Sequence, residues 1–539
     1  MFHVEQYLIP FSAVAVVAAA EVSPAPPLLQ LALATESEEA QKEVQAGLVD
    51  LLLGWEESAR IRFERAAKAD DMCSLAWCGL MMTEADPAAR KRSMQELTER
   101  INQLPTTPPE AFYLATFFRL LANDQLGAAE DFIQRAERYR HDVFSACWGI
   151  LLLHCSDVGY DELGKTLPHQ SRALELAGKL YQENPENALV CFVRGYVEEA
   201  APVVSEQAIQ AAEKSVRLMP GHPIPQHLYG HLLYRSGRAG EAVSHFMEAV
   251  KSATRKDIPE WESSVLMTSR LYVSTAMWTA GQSAKALATR RAMNKMSLDR
   301  EHLHAPAVIL HRWEAATLPL RVLVAGKKVP SIGQITAASS AAEVKPALPG
   351  DDPVLLVRDC LRACLYVRLR AKNKDVRNAA KSLALAEDAL KQFEQTREDV
   401  LARGVHYITP WTRALEACQV ALSMARAEVY TRTADMWKES ARQAVRPVTL
   451  MLPPVIPAAA AESIEKNLST KIQKKKMDEP DKAPRKNSTA SKTSSKKSVS
   501  SVKGQPKKKR AASQKKKQTP PPAPPAEKKK KSWFGRLFD

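Results

Sequence analysis

The sequence predicts an all-α protein, a stack of antiparallel helix pairs followed by a basic tail that does not fold. Three observations predict it. From Glu36 to Val445 apolar residues recur at helical spacing, while alternating strand patterns bounded by turn dipeptides are scarce. One pattern of small and aromatic residues occurs twice with identical internal spacing. Aromatic side chains stop at Trp437 and return only at Trp533, so the stretch between them has no material for a core. With 20 Gly and 8 Cys in 539 residues and no sustained heptads, collagen-like, disulfide-scaffold and pure coiled-coil classes are excluded.

Residues 1–34 form an apolar N-terminal segment. Tyr7 to Ala20 is an apolar run with small residues before Glu21 and prolines at 24, 26 and 27, which are signal-peptide features. Against that, Met1 to Gln6 carries no Lys or Arg, Pro10 interrupts the run, and about 14 residues are too few to span a bilayer as a helix. A cytoplasmic protein is the expectation; export with cleavage of residues 1–20 is the alternative. The cysteines Cys73, Cys78, Cys147, Cys155, Cys191, Cys360, Cys364 and Cys418 are dispersed in apolar helical contexts with no CxxC pair. They read as free buried thiols in a reducing compartment.

Residues 35–325 form the repeat domain. Gly47, Gly54, Ala59, Phe63 and Ala66 are matched by Gly230, Gly237, Ala242, Phe246 and Ala249. The pattern has a physical cause: a small residue lets two antiparallel helices approach, a glycine turns the chain, and Ala, Phe and Ala form the packing face of the second helix. These residues resemble the tetratricopeptide repeat (TPR). Weaker copies follow at Ala129, Ile133 and Ala136, at Ala208, Ala212, Ser215 and Pro220, and at Gly281 and Ala286. Ala76-Trp77-Cys78-Gly79-Leu80 and the segment from His222 to Val250 are similar to a divergent bacterial group of such proteins. The resemblance implies a right-handed superhelix whose concave face binds protein partners.

Pro108-Pro109-Glu110 opens a helix to about Ala122. Residues 326–352, with three Pro, three Gly and runs of Ser and Ala, read as a linker loop. The block 353–447 is helical again: Asp351-Asp352-Pro353 caps a helix through Cys360 and Arg370, and Asp375 to Arg403 is a long helix ended by Gly404.

The chemistry is sparse. No phosphate loop, dinucleotide fingerprint, nucleophile elbow or HExxH pattern is present, so a non-enzymatic protein without cofactor or small-molecule substrate is expected. His222, His227, His231 and His245, with Glu241, could in principle surround a zinc ion, but no Cys joins them and no metal site is expected. The resemblance gives another use: with Gly230 at the small-residue position, His227, His231, Tyr234 and Arg235 fall where such proteins line their groove. They are the candidate partner-binding residues, with a structural role between repeats as the alternative. The matching face of the first copy, Gln41, Val44, Leu48, Leu51 and Leu52, is too apolar to hold a carboxylate and is expected to pack against the N-terminal segment or a partner.

The tail, 448–531, explains the charge. Residues 462–539 hold 24 Lys/Arg against 7 Asp/Glu, a net of +17, so the body is near neutral although the whole chain carries +15. Lys507, Lys508, Lys509, Arg510, Lys515, Lys516, Lys517, Lys528, Lys529, Lys530 and Lys531 form a polycation suited to an anionic membrane surface or to nucleic acid bound without sequence preference. The terminus 532–539 places Trp533, Phe534, Leu537 and Phe538 on one apolar helical face, a short anchor beside four lysines. The expectation is a protein-binding scaffold tethered peripherally to a membrane by its tail. A nucleic-acid-associated protein is the alternative.

Overall fold

Gly54 and Gly237 take positive φ angles of 86° and 84°, the backbone conformation glycine adopts without strain, and each ends the first helix of a pair. Around such turns the chain folds into nineteen α-helices among the described residues. The computed structural model describes residues 29 and 31–430, except 85–86, 157–158, 162–163, 261, 294–305, 327, 343–352 and 403–408. Among them the strand-like pairing is one isolated bridge, Tyr160 with Thr166.

The pairs are α1 (Glu38–Leu53) with α2 (Glu56–Ala69), α3 (Ser74–Met82) with α4 (Pro87–Ile101), α5 (Pro108–Leu121) with α6 (Gln125–Arg138), α7 (Val143–His154) with α8 (Pro168–Glu183), α9 (Ala188–Tyr196) with α10 (Glu206–Leu218), α11 (Pro223–Arg235) with α12 (Ala239–Ala253), and α13 (Ser264–Thr279) with α14 (Ser283–Met293). First helices also touch the first helices of the next pair: α1 meets α3, α3 meets α5, α7 meets α9, α9 meets α11 and α11 meets α13. This is the arrangement expected of tetratricopeptide-like stacking, in which each pair buries its apolar face only against its neighbours.

The duplicated pattern is visible in the packing. Phe63 of α2 is fully buried between two glycines: a Cβ on Gly47 of α1 would stand 2.9 Å from its ring, and one on Gly79 of α3 only 2.5 Å. In the second copy Phe246 lies against Gly230, where a Cβ would stand 3.1 Å away, and stacks on Tyr272 of α13 at 4.9 Å between centroids. One continuous apolar cluster runs from Leu29 to Ala276.

α15 (Pro306–Val324) packs on α13 and α14, and also on α17 (Pro353–Lys372) and α19 (Thr409–Val429), so it joins the repeat domain to the C-terminal helices. α18 (Val376–Ala402) pairs with α17. The expected linker 326–352 is not all loop. It contains α16 (Ile332–Ala341), begun by a capping box in which Ser331 and Gln334 satisfy each other's backbone N–H groups. The tail 448–531 and the terminus 532–539 lie outside the described residues.

Candidate functional site

The inner face of a helix stack is set by the first helix of each pair, and here that face is filled. His227 and His231 sit one turn apart on α11, and both rings turn toward α13. The His227 ring lies 5.2 Å from Phe246 and 5.0 Å from Tyr272, and its Nδ1 is 2.9 Å from the Ser269 hydroxyl. His231 is wholly buried; its Nε2 lies 3.2 Å from the Glu199 carbonyl oxygen and 3.4 Å from the Glu199 carboxylate. Tyr234 bonds Thr279 at 3.1 Å, and burial pushes its phenol up to about 12. Arg235, half-buried, donates to the backbone carbonyls of Glu199, at 2.9 Å, and of Ala201.

Of the residues expected to line a groove, His227, His231 and Tyr234 are buried and Arg235 is half-buried, and their contacts hold α11 to α13 and to the chain following α9, the structural role that the sequence left as the alternative. Their polar atoms are bonded within the fold except His231 Nδ1, which is buried without a hydrogen-bond partner. The reason lies in the neighbours. Tyr272, Ser269 and Thr279 of α13 and the carbonyls after α9 occupy the space an open superhelix leaves empty. The four histidines also part company: His222 faces Asp50 at 3.3 Å and His245 faces Gln226 at 3.1 Å. Among the described residues no group of three His, Cys, Asp or Glu is placed to hold a metal ion.

At the first pair the inner face has a different covering. Val44, Leu48, Leu51 and Leu52 are buried, and across this end of the stack runs a strap outside any helix, residues 31–35, preceded by Leu29 and bent at Ala34. Leu29, Leu31 and Thr35 are buried, Leu33 packs on the core, Ala34 is half-buried and Ala32 is exposed.

Helix side chains hold the strap by its backbone. Gln41 Nε2 donates to the Thr35 carbonyl at 2.8 Å, and Gln45 Nε2, one turn on, to the Leu31 carbonyl at 3.4 Å. Thr107 Oγ1 donates to the Ala32 carbonyl at 2.7 Å. The Ala34 N–H donates to Glu110 Oε2 at 2.8 Å. Glu110 is buried, and the same oxygen accepts the Thr107 N–H at 2.7 Å, closing the capping box that starts α5. The strap thus bridges the first helices of pairs one and three. Gln45 and Thr107 had no place in the sequence expectation, and Glu110 entered it only as part of the opening of α5. The signal was available: two amides at i and i+4 on an apolar face serve no packing purpose, but they can take backbone carbonyls, here those of Thr35 and Leu31, four residues apart.

Lys507 to Arg510, Lys515 to Lys517, Lys528 to Lys531, Trp533, Phe534, Leu537 and Phe538 all lie outside the described residues. No described helix is long and apolar enough to cross a membrane. No family model matches the sequence, and no curated protein matches it. Nineteen chains of solved structures do. One is described as the crystal structure of the P58(IPK) TPR domain at 2.5 Å; it is 12% identical, with 82% of this chain and 100% of that chain covered and a TM-score of 0.18. The tetratricopeptide-like character is carried by the packing: a glycine of the first helix against an aromatic ring of the second in both copies, the ring in turn meeting the next first helix at Gly79 or Tyr272, with pairs stacked in chain order.

Proposed function

We propose that this chain is a non-enzymatic helical-repeat scaffold that binds extended protein segments by their backbone at the end of the stack formed by α1 and α5. One observation carries the reading. Residues 31–35 lie there as a strap bent at Ala34, with four backbone groups taken by Gln41, Gln45, Thr107 and Glu110 and with Leu31 and Thr35 buried. A seat that reads carbonyls and alternate apolar side chains is not tied to one sequence, so a partner segment with apolar residues at every second position suits it equally. The strap is then the seat's own occupant, and a partner competes with it.

The test is binding in trans. A chain beginning at Glu36, shown to be folded by circular dichroism, is titrated with a labelled peptide of residues 27–35 and with one whose inward leucines are replaced by Asp. Micromolar binding of the first, lost for the second and weakened by Gln41→Ala with Gln45→Ala, is the expected result. A folded body that binds neither peptide overturns the reading.

The composition of the tail favours a second element: with +17 on residues 462–539 against a near-neutral body, the tail tethers the scaffold to an anionic surface at the cytoplasmic face of a membrane. Co-sedimentation with anionic vesicles, comparing the full chain with a truncation after Pro457 and adding excess RNA, tests it. Tail-dependent binding that survives RNA and weakens when Trp533 and Phe534 are replaced supports the tether. Binding lost wholly to RNA favours a nucleic-acid partner instead.

A further inference from the structure

The first helix pair touches more than its neighbours in sequence. Across separations of 172 to 207 residues it meets the start of α11 and the connection between α12 and α13. Arg60 pairs with Glu262, and Arg65 Nη2 lies 2.9 Å from Asp257. Arg255 Nη1 donates to Ser58 Oγ at 2.7 Å and holds its guanidinium 5.4 Å over the Trp55 ring, whose face meets the edge of His222 at 5.1 Å. His222 in turn faces Asp50, which also accepts from Ser58 and from Arg62 at 2.6 Å. Glu57 Oε1 accepts the N–H of Ser264 at 2.8 Å, together with its hydroxyl. Ser264 is the first residue of α13, so its N–H has no acceptor within its own helix, and a carboxylate there also complements the helix end.

This contact is richer in charge than the joints between consecutive pairs, which bury phenylalanine, leucine and alanine and carry fewer ion pairs, such as Arg172 with Glu130 between α8 and α6 and Arg135 with Asp142 between α6 and α7. Here the groups that meet are arginines, carboxylates, serines and a histidine, and Trp55 is the apolar member. The outer pairs are partly solvated, with side-chain exposures of 31% and 27% for Arg60 and Glu262 and 45% and 35% for Arg65 and Asp257. Partly solvated ion pairs are screened by salt, whereas apolar joints are not weakened by it. The closing contact is thus a joint that responds to ionic conditions.

We propose that this seam is a reversible electrostatic clasp: closed, it holds α1 and α2 to the loop before α13; open, it leaves the first pair attached through α3 and through the strap to α5, free to move on those contacts. It is carried by Glu57, Arg60 and Arg65 on one side and by Arg255, Asp257, Glu262 and Ser264 on the other. The inference is independent of what the seat beside it binds.

Hydrogen exchange of the full chain, read by mass spectrometry on fragments covering 56–69, 255–266 and 144–153, the buried apolar stretch of α7, tests it. Raising sodium chloride from 0.05 M to 1 M should speed exchange in the first two fragments together, by roughly tenfold for the slowest amides, and leave 144–153 unchanged. Asp257→Asn with Glu262→Gln, two loop substitutions on partly exposed carboxylates, should show the fast exchange already at 0.05 M and lose the salt dependence. Exchange that ignores salt, changes on one side only, or rises equally in all three fragments overturns the clasp. So does a double variant that keeps the wild-type salt response.

Discussion

Glycine-to-alanine substitution should have opposite signs at two helical glycines of this chain. At Gly79 of α3 a new methyl would stand 2.5 Å from three atoms of the Phe63 ring, against the 3.4 Å at which ordinary contact begins. Phe63 cannot retreat, because it is fully buried and a Cβ on Gly47 would press it from the other side at 2.9 Å. Overpacking of this kind costs about 1–3 kcal/mol, and with a gap of nearly 1 Å to open the upper half of that range applies. Better helix propensity returns about 1 kcal/mol, leaving Gly79→Ala destabilised by about 1–2 kcal/mol. At Gly178 of α8 nothing lies within 4 Å of the added methyl, so the propensity gain stands alone and Gly178→Ala should be about 0.5–1 kcal/mol more stable. Urea unfolding followed by far-ultraviolet circular dichroism and by tryptophan fluorescence reads both variants, the two probes also showing whether the stack melts as one unit. A Gly79→Ala protein as stable as the parent, or a Gly178→Ala protein less stable, would refute the account of Phe63 as the ring that sets the spacing of α1, α2 and α3.

Glu110→Ala should cost about 2 kcal/mol, since it removes the helix cap at Thr107 and the strap bond to Ala34, and limited proteolysis should then cut within residues 30–36 at enzyme levels that spare the parent. Alkylation of the native chain at pH 8 should reach Cys155, the half-buried thiol, first: burial raises Cys73 and Cys191 to about 11 and Cys78 to about 12, and Cys360, Cys364 and Cys418 share one buried cluster. Peptide mapping by mass spectrometry checks the order, and early labelling of Cys78 or Cys147 would contradict the packing. For Asp50, burial raises the carboxyl, but the hydrogen bond and charge of His222, with Arg62 and Ser58, outweigh it and hold the group below its ordinary 3.8. The stabilisation this carries is therefore present above pH 3.8 and is lost as pH falls through the lower folded value. Asp50→Asn should unfold more easily than the parent at pH 6, and the gap should narrow below pH 3.8 in acid titrations followed by circular dichroism.

Much of the fold was legible because it is local. The spacing Gly47, Gly54, Ala59, Phe63 and Ala66 specifies contacts inside one pair and with the next, and those contacts are present. Pro108-Pro109-Glu110 announced α5 within a residue of its ends for the same reason: a cap and its partner lie three residues apart. α16 went unread although Ser331 and Gln334 carry the same signature, because Ser/Ala composition with flanking Gly and Pro outweighed it. The candidate site was less legible. Whether His227 or His231 faces a groove depends on Tyr272, Ser269 and Glu199, dozens of residues away. Whether the stack closes depends on Asp50 meeting His222 and Glu57 meeting Ser264, and no spacing within a repeat encodes either pairing.

What separates a filled stack from an open one is the chemistry of the first-helix inner positions. Val44, Leu48, Leu51 and Leu52 on α1, Ile150 and Leu153 on α7, Leu189, Phe192 and Tyr196 on α9 and Leu271 and Trp278 on α13 are large and apolar, and all are buried. A face so composed cannot be left in water at about 25 cal/mol per Å² and still serve as an empty groove; it must acquire a cover. Between later pairs the cover is the next first helix. At the first pair, which has no helix before it among the described residues, the cover is the strap, and there the inner face changes character: Gln41 and Gln45 stand beside the leucines and bond the strap's carbonyls. An extended segment brings unpaired backbone groups with it, so a surface that buries one needs donors and acceptors placed for them. Those donors mark the end of the stack as the place where this body receives a chain rather than a helix, and replacing Gln41 and Gln45 with leucine should strengthen the apolar face while loosening the strap.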